Sequence, residues 1–144
     1  MVAAALMQNE VIAKDSYEDG MDFIMPNLVD EFWIGVKVDD QVVGAFRFEQ
    51  MTRVMWQIHG AMLPQHRKLY SKKASRIALR WMAKNVGKLA TVICQIPETY
   101  TNIIKHATVL GFTLYGTIPD AYLKNDTIQN LVIYGIAKEE IEKY

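Results

Sequence analysis

The densest group of chemically active side chains lies at residues 66–73, which read His-Arg-Lys-Leu-Tyr-Ser-Lys-Lys. This stretch follows a β-rich run and precedes a helical pattern, so we expect it to form a strand-to-helix turn. Ser71 is a candidate N-cap, which would put Lys72 and Lys73 in the first helical turn. A helix N-terminus already carries partial positive charge, so added cations are favourable there when an anion is bound. The pattern therefore predicts a site for a phosphate or pyrophosphate group.

The composition limits the class of protein that this turn can serve. A chain of 144 residues, about half of them apolar, suits one globular domain, which we take as residues 1–144. Sixteen basic residues balance sixteen acidic ones, so no global field draws the protein toward nucleic acid or an acidic membrane. The single cysteine, Cys94, excludes an intrachain disulfide. Because no stretch has the ~20 apolar residues of a transmembrane helix, we expect a cytoplasmic protein.

The apolar patterning predicts the elements that would position the turn. Alternating and β-branched runs predict strands at 32–38, 42–48, 54–59 (running on toward Met62), 89–96, 112–118 and 131–137. Asp39-Asp40-Gln41 should join the first two strands as a hairpin. A long helix should run from Ser71 to Asn85 with Ile77, Ala78, Trp81 and Met82 on its apolar face, and a shorter helix should end at Gly111.

This order of elements predicts an α/β (α+β) fold with a mixed sheet and helices on both of its faces. Residues 1–30 predict one or two short helices that end at Pro26. Residues 119–129 predict a loop, with its turn at Lys124-Asn-Asp-Thr127. The strand at 131–136 is a candidate edge for pairing in a homodimer.

The run Met62-Leu-Pro-Gln-His-Arg67, followed by a helix that contains Trp81, resembles the acetyl-CoA-binding motif of the GNAT superfamily of N-acetyltransferases. Further on, Ile96-Pro97, a short helix, Gly111-Phe112 and Gly116 resemble the second cofactor motif of that family and the strand after it. The resemblance in element order spans residues 32 to 137. It is nearest to short GNAT-like proteins of bacteriophages and prophages, which share the Ile-His before the Pro-x-x-Arg step.

The resemblance implies a mostly antiparallel central sheet, acetyl-CoA as co-substrate, and an acceptor amine that attacks the thioester directly. The pantetheine would lie against the splayed strand end at Met62, and the pyrophosphate would bind the backbone N–H groups from Arg67 to Lys73. Tyr70 and Lys72 stand where the family motif has glycine, so lysine side chains would meet the phosphates instead. Residues 21–33 and 119–129 would flank the acceptor. The implied cofactor-binding residues are Met62, Leu63, Arg67, Lys68, Tyr70, Ser71, Lys72, Lys73 and Asn102.

Acetyl transfer also needs a base, because an ammonium cannot attack a thioester. His59 is our candidate catalytic residue, since it lies on the strand beside the expected cleft and titrates near neutral pH. The alternative is that His59 packs structurally against a backbone group. Glu49 and Glu98 are weaker candidate bases, and the candidate proton donors are Tyr115, Tyr122 and Tyr134.

Other functions stay open. The missing glycines favour a catalytically inactive GNAT-like binding protein or a phage virion-associated assembly protein, which would act in the host cytoplasm. Nucleic-acid binding through residues 66–73 is the least favoured reading, given the zero net charge, and we expect no membrane partner. The three histidines lie far apart without Cys or acidic neighbours at ligand spacing, so we expect no metal site. His106 is expected on the exposed side of its helix.

Overall fold

The computed structural model describes residues 18–19 and 31–144. The described part contains six strands, β1 Glu31–Val38, β2 Gln41–Gln50, β3 Met55–Met62, β4 Thr91–Pro97, β5 Thr113–Lys124 and β6 Thr127–Ala137. It also contains three helices, α1 Pro64–Asn85, α2 Thr101–Val109 and α3 Lys138–Ile141. The short helices predicted before Pro26 lie outside the described residues.

The six strands form one sheet in the order β1-β2-β3-β4-β6-β5. Only β3 and β4 pair in parallel, and the other four pairs are antiparallel. The predicted mixed, mostly antiparallel sheet is therefore confirmed. Because β6 lies between β4 and β5, both edges of the strand at 131–136 are already paired, and the prediction that this strand is a free edge is wrong.

Two tight hairpins follow from short polar turns. Asp39 and Asp40 adopt φ values of 49° and 64°, and Asn125 and Asp126 adopt 51° and 56°. Two consecutive left-handed residues match the twist of paired strands, and Asn and Asp tolerate that conformation better than most residues do. Both turns were predicted, so the local sequence is sufficient to set them.

The predicted loop at 119–129 is wrong, because β5 and β6 continue as a hairpin to the turn at 125–126. Pro119 reads as a strand breaker in the sequence. The register of β5 against β6 slips between Ile118 and Tyr122, and Asp120 there has a φ of 49°. Since β5 is an edge strand, a bulge can absorb the proline without ending the ladder.

The main hydrophobic cluster lies on one face of the sheet and joins all three described helices. Phe46 and Phe48 of β2 pack there with Leu79 and Met82 of α1. Two residues predicted for the buried side of α1, Ile77 and Trp81, are instead 58% and 41% exposed. The buried stripe of the helix instead runs through Ser75, Ala78, Leu79, Met82 and Ala83, so the buried face is turned by about one residue from the predicted one.

The far end of β5 is bonded to residues 18–19. The backbone N–H of Asp19 donates to the carbonyl of Leu123 at 3.0 Å, and the N–H of Leu123 donates to the Glu18 carboxylate. The N–H of Asp126 donates to the Asp19 carboxylate at 3.2 Å. This end of the edge strand is therefore closed by a segment about a hundred residues away in sequence.

Candidate active site

The central feature of the site is a split between β3 and β4. The two strands pair only from Met55 opposite Thr91 to Gln57 opposite Ile93, whereas β3 runs on to Met62 and β4 to Pro97. On the β3 side, the wall of this split is a strand edge that no other described strand pairs with over several residues.

The hydrogen-bond pattern shows which backbone groups line the split. The N–H of Leu63 donates to the carbonyl of Val43 at 2.8 Å, which continues the β2–β3 register. In an antiparallel ladder alternate residues bond to the same neighbour, so the odd-numbered residues of β3 bond to β2. The backbone N–H and C=O groups of Gly60 and Met62 therefore face the split.

Glycine is required at position 60 because the ring of Phe46 lies close to the β3 backbone there, on the face of the sheet that bears the described helices. A Cβ at this position would lie 3.1 Å from the Phe46 ring, which is itself buried in the core. Any larger side chain would have to displace that ring. The strand edge at this point therefore keeps an uncovered backbone.

Arg67 closes the end of β3. Its Nε donates to the carbonyl of Met62 at 2.9 Å, and the Ser71 hydroxyl lies 3.5 Å from the Met62 sulfur. These contacts bring three predicted cofactor-binding residues together. They also occupy the carbonyl of Met62 and leave its N–H as the group directed into the split.

His59 lies beside the split on the sheet face opposite helices α1, α2 and α3. Its Nε2 is 3.3 Å from a carboxylate oxygen of Glu49 and 3.3 Å from the side-chain amide nitrogen of Gln57. The amide of Gln95 on β4 donates to the Gln57 oxygen at 3.3 Å, so side chains bridge β3 and β4 at the base of the split. The imidazole is partly exposed, with 35% of its side-chain surface accessible.

A row of charges continues from His59 across β2 to β1. Arg47 forms an ion pair with Glu31 and lies 3.8 Å from Glu49, while the indole of Trp33 donates to Glu31 at 3.0 Å. Burial and the positive charge of Arg47 lower the pKa of His59, and the hydrogen bond and charge of Glu49 oppose that shift. The imidazole is therefore neutral near pH 7, as a proton acceptor must be.

The start of α1 differs from the prediction. The helix begins at Pro64 with Leu63 as N-cap and no side-chain cap, so the predicted N-cap at Ser71 and the predicted turn before it are wrong. Pro64 suits the first helical position, and without glycine at 70 and 72 nothing interrupts the helix. The N–H groups from Arg67 to Lys73 therefore bond within the helix and form no phosphate cradle.

The remaining predicted cofactor residues are spread over α1. Lys68, Lys72 and Lys73 are exposed, and none forms an ion pair with a described residue. Tyr70 is half-buried, with its ring 6.0 Å from that of His66. The helix contains seven Lys and Arg residues and no Asp or Glu. Its exposed side is therefore strongly cationic although the net charge of the chain is zero.

Helix α2 flanks this cationic side. Asn102 is exposed in its first turn, and His106 lies one turn further along the same side. His106 is not on the exposed side as predicted, because its Nε2 lies 3.3 Å from the hydroxyl of buried Ser75 on α1. Burial and, to a smaller extent, Lys72 lower its pKa, so the ring is neutral and joins the two helices.

The other candidate acids and bases lie elsewhere. Glu98 bonds to Asn130 at 3.1 Å beyond the end of β4, and Tyr134 packs against the core. The ring of Tyr115 covers Gly135, where an added Cβ would lie 2.0 Å from it. Burial and a hydrogen bond to Tyr100 raise the pKa of Tyr122, so its hydroxyl stays protonated.

The polar row around His59 was not predicted from the sequence. Arg47 lies opposite His59 in the β2–β3 ladder, and Glu49 lies opposite Gln57. The signal was present, because polar residues at every second position of two neighbouring strands indicate one shared polar face. Recognising it requires the register between the strands, which the composition of each strand alone does not provide.

Two further observations concern metals and membranes. Within residues 18–19 and 31–144, no three His, Cys, Asp or Glu side chains lie close enough to hold a metal ion. Of the helices that the structure describes, none combines the length and apolar character needed to cross a membrane.

The family model described as Protein of unknown function (DUF2824) matches residues 4–144. No curated protein matches the sequence. Among solved structures, spermidine N-acetyltransferase from Vibrio cholerae in complex with CoA and spermine superposes with a TM-score of 0.80 at 11% identity. This match covers 96% of the present chain and 89% of the other.

Two further solved structures agree with this match. Mutant forms of the same Vibrio cholerae enzyme give a TM-score of 0.73 at 13% identity, covering 79% of this chain and 70% of theirs. A probable acetyltransferase gives 0.69 at 16% identity, covering 78% of this chain and 64% of its own. At these identities the likeness shows the fold, which is that of the GNAT N-acetyltransferases.

Proposed function

The chain belongs to the DUF2824 family and has the fold of N-acetyltransferases, and from this premise we propose that it transfers an acetyl group from acetyl-CoA to a primary amine. The proposal treats residues 1–144 as one catalytic domain. The observation that carries it is the open edge of β3, which places unpaired backbone groups and a neutral histidine at the same split.

The open edge suits the acyl arm of acetyl-CoA. Pantetheine contains amide groups, which can pair with the backbone of Gly60 and Met62 as an added strand would. The Met62 N–H then points toward the thioester, where it polarises the carbonyl and stabilises the oxyanion that forms during attack. The Met62 carbonyl stays bonded to Arg67, which holds the strand end in place.

His59 supplies the base. It takes a proton from the ammonium of the acceptor, and the freed nitrogen lone pair attacks the thioester carbon. The carbon–sulfur bond then breaks, the acetyl group stays on nitrogen as an amide, and the second proton that the nitrogen loses goes to the CoA thiolate, which leaves as the thiol. An amine acceptor is supported by the spermine bound in the Vibrio cholerae structure, whose fold this chain shares.

The nucleotide end of acetyl-CoA would lie against the start of α1. Because the helix leaves no backbone cradle there, side chains bind the phosphates, and Lys68, Lys72 and Lys73 are exposed for this role. The remaining proposed contacts come from Leu63, Arg67, Tyr70, Ser71 and, across from α1, Asn102.

A binding measurement followed by a turnover assay tests the proposal. Isothermal titration of the protein with acetyl-CoA should show binding, and incubation with acetyl-CoA and spermine should release free CoA thiol. Spermine without protein and protein without amine are the controls for spontaneous hydrolysis. If the titration shows no heat of binding at high micromolar acetyl-CoA, the proposed enzyme activity is wrong.

One observation favours a second function, a non-catalytic GNAT-shaped protein that acts in binding or in phage virion assembly. The N–H groups of residues 67–73, which would hold the pyrophosphate in the implied motif, are used inside α1. A protein that no longer binds acetyl-CoA would have no need to keep them free. Binding without turnover on any of a panel of primary amines, or no binding at all, would favour this function over the enzyme.

A further inference from the structure

The two nitrogens of the His59 ring have different surroundings. Nε2 lies within 3.3 Å of both Glu49 and Gln57. Nδ1 has no hydrogen-bond partner among residues 18–19 and 31–144. A neutral imidazole carries one proton, and the nitrogen without it is the one that can act as a base. The tautomer of His59 therefore decides which atom could accept a proton.

The neighbours of Nε2 decide between the two tautomers. An ionised carboxylate only accepts hydrogen bonds, so Glu49 is favourable beside Nε2 only when that nitrogen carries the proton. The side-chain amide of Gln57 can serve either tautomer, because rotating it by half a turn exchanges its oxygen and nitrogen at nearly the same positions. Gln95 can rotate with it, which keeps the Gln57–Gln95 bond. The carboxylate is thus the group with a fixed preference.

We propose that Glu49 is a positioning residue that holds the Nε2 proton of His59, so that Nδ1 is the atom that takes the proton from the acceptor amine. The inference rests on the proposed function for the identity of the reaction, but the tautomer itself is a property of the protein alone. Glu49 is in turn held between His59 and Arg47, and Arg47 is anchored by Glu31.

This arrangement also stabilises the product of the proton transfer. When Nδ1 accepts a proton the ring becomes an imidazolium, and the carboxylate of Glu49 lies 3.3 Å from it. The charged groups that face the ring from described elements are Arg47 and Glu49 of β2, with Glu31 of β1 behind Arg47, while β4 contributes only uncharged Gln95. Glu49 is thus the group in contact with the ring that favours its charged form, and the more distant Glu31 acts in the same direction to a smaller extent.

Nitrogen-15 NMR of the imidazole ring tests the proposal without any turnover. In the full chain near pH 7.5, His59 should show a protonated Nε2 and an unprotonated Nδ1. In Glu49→Gln the ring should become a mixture of tautomers and should titrate at lower pH, because the carboxylate that favours the charged form is gone. A wild-type ring protonated on Nδ1, or an unchanged titration in Glu49→Gln, would overturn the proposal.

Kinetics provide the second readout. Glu49→Gln should lower kcat about tenfold or more, since a general base contributes about 10²–10⁴-fold and a misdirected one loses part of that. KM for acetyl-CoA should change less than about twofold, and Glu49→Asp should recover part of the rate. The matched control is Glu140→Gln, which also removes a carboxylate from an ion pair but on α3. If Glu140→Gln also lowered kcat about tenfold, the assignment of Glu49 as a positioning residue would be overturned.

The two proposals fail separately. If the wild-type protein shows the Nε2 tautomer but no acetyl transfer, then the positioning of His59 stands and the proposed enzyme activity falls. If it transfers acetyl groups and Glu49→Gln does so at an unchanged rate, then the activity stands and the role of Glu49 falls.

Discussion

The two ends of the β3–β4 split differ in how they could hold acetyl-CoA. At the thioester end the backbone is open, and Gly60 and Met62 face the split with no strand of residues 31–144 paired to them on that side. At the phosphate end the backbone is closed, because α1 begins at Pro64 and uses the N–H groups of residues 67–73 internally. One end can therefore recognise a ligand through its main chain, whereas the other must rely on side chains.

This difference teaches which part of the site depends on glycine. An open strand edge needs only that the neighbouring strand diverges, and Gly60 on β3 is required by its packing against Phe46 and not by the opening of the edge. A phosphate cradle at a helix N-terminus needs free N–H groups and close approach, which glycine permits and Tyr70 and Lys72 do not. Loss of two glycines can thus convert a turn into helix while the rest of the site keeps its form.

The largest expected effect tests the open end. His59→Ala should reduce kcat for acetyl transfer by about 10²–10⁴-fold, because the general base is lost, while leaving the affinity for acetyl-CoA nearly unchanged. Fixed-time assays of thiol release measure kcat, and isothermal titration calorimetry measures the affinity for acetyl-CoA. His66→Ala is the matched control, since His66 lies at the start of α1 and has no assigned role in proton transfer. Loss of affinity in His59→Ala, or no loss of rate, would instead make His59 a structural residue.

A second experiment tests whether the phosphate end is helical. Replacing Tyr70 and Lys72 with glycine should lower the free energy of unfolding by about 1 kcal/mol for each substitution, since glycine costs that much in a helix interior. Thermal or urea unfolding followed by circular dichroism measures the change. Lys88→Gly, in the connection after α1, should have little effect. If residues 64–73 formed a loop, then the double glycine variant would be as stable as the control.

Charge reversal tests whether lysine side chains near the start of α1 bind the phosphates of CoA. The double substitution Lys72→Glu and Lys73→Glu should lower the affinity for CoA by about fivefold for each lysine that pairs with a phosphate, as expected for exposed ion pairs. Dephospho-CoA should be weakened less, because it carries fewer charges. Lys84→Glu, about 18 Å further along α1, should change neither affinity. Equal weakening of both ligands would assign the lysines to the pyrophosphate, which both ligands contain, and unchanged affinity for both would contradict any contact with phosphate.

The smallest effect concerns pH. Both His59 and His106 have a pKa below the ordinary value of 6.5 in the folded protein, chiefly through burial. The unfolded chain therefore binds more protons, and the free energy of unfolding should fall as the pH decreases below about 6.5, levelling off once the folded-state pKa values are passed. Urea unfolding at a series of pH values measures this slope.

His106→Gln should flatten that slope, since the ring on the α1–α2 contact would no longer titrate. Unchanged stability of the wild type between pH 7.5 and pH 5 would contradict the burial of both rings.

The sequence predicted the succession of strands along the chain and the place of His59 on its strand, because both depend on local patterns, but it did not predict the order of the strands in the sheet. Alternation of apolar and polar residues predicted the strands, and pairs of neighbouring Asp or Asn residues predicted the turns at 39–40 and 125–126. The start of α1 was wrong because Ser71 was taken as the N-cap, whereas Pro64 already suits the first helical position and no residue between them interrupts the helix. The hairpin at 119–129 was missed because Pro119 lies in a β-bulge. No local sequence pattern indicates such a bulge. The row from Glu31 to Gln95 required the register of four strands.

The bonds between residues 18–19 and the end of β5 have a consequence for how the chain folds. They join residues 105 and 107 positions apart, so they close among the longest loops available to a chain of this length. Contacts at such sequence separation form late, because a large loop-closure entropy precedes them. Until they form, the outer edge of β5 offers unpaired backbone groups to other chains, and aggregation during refolding should begin there.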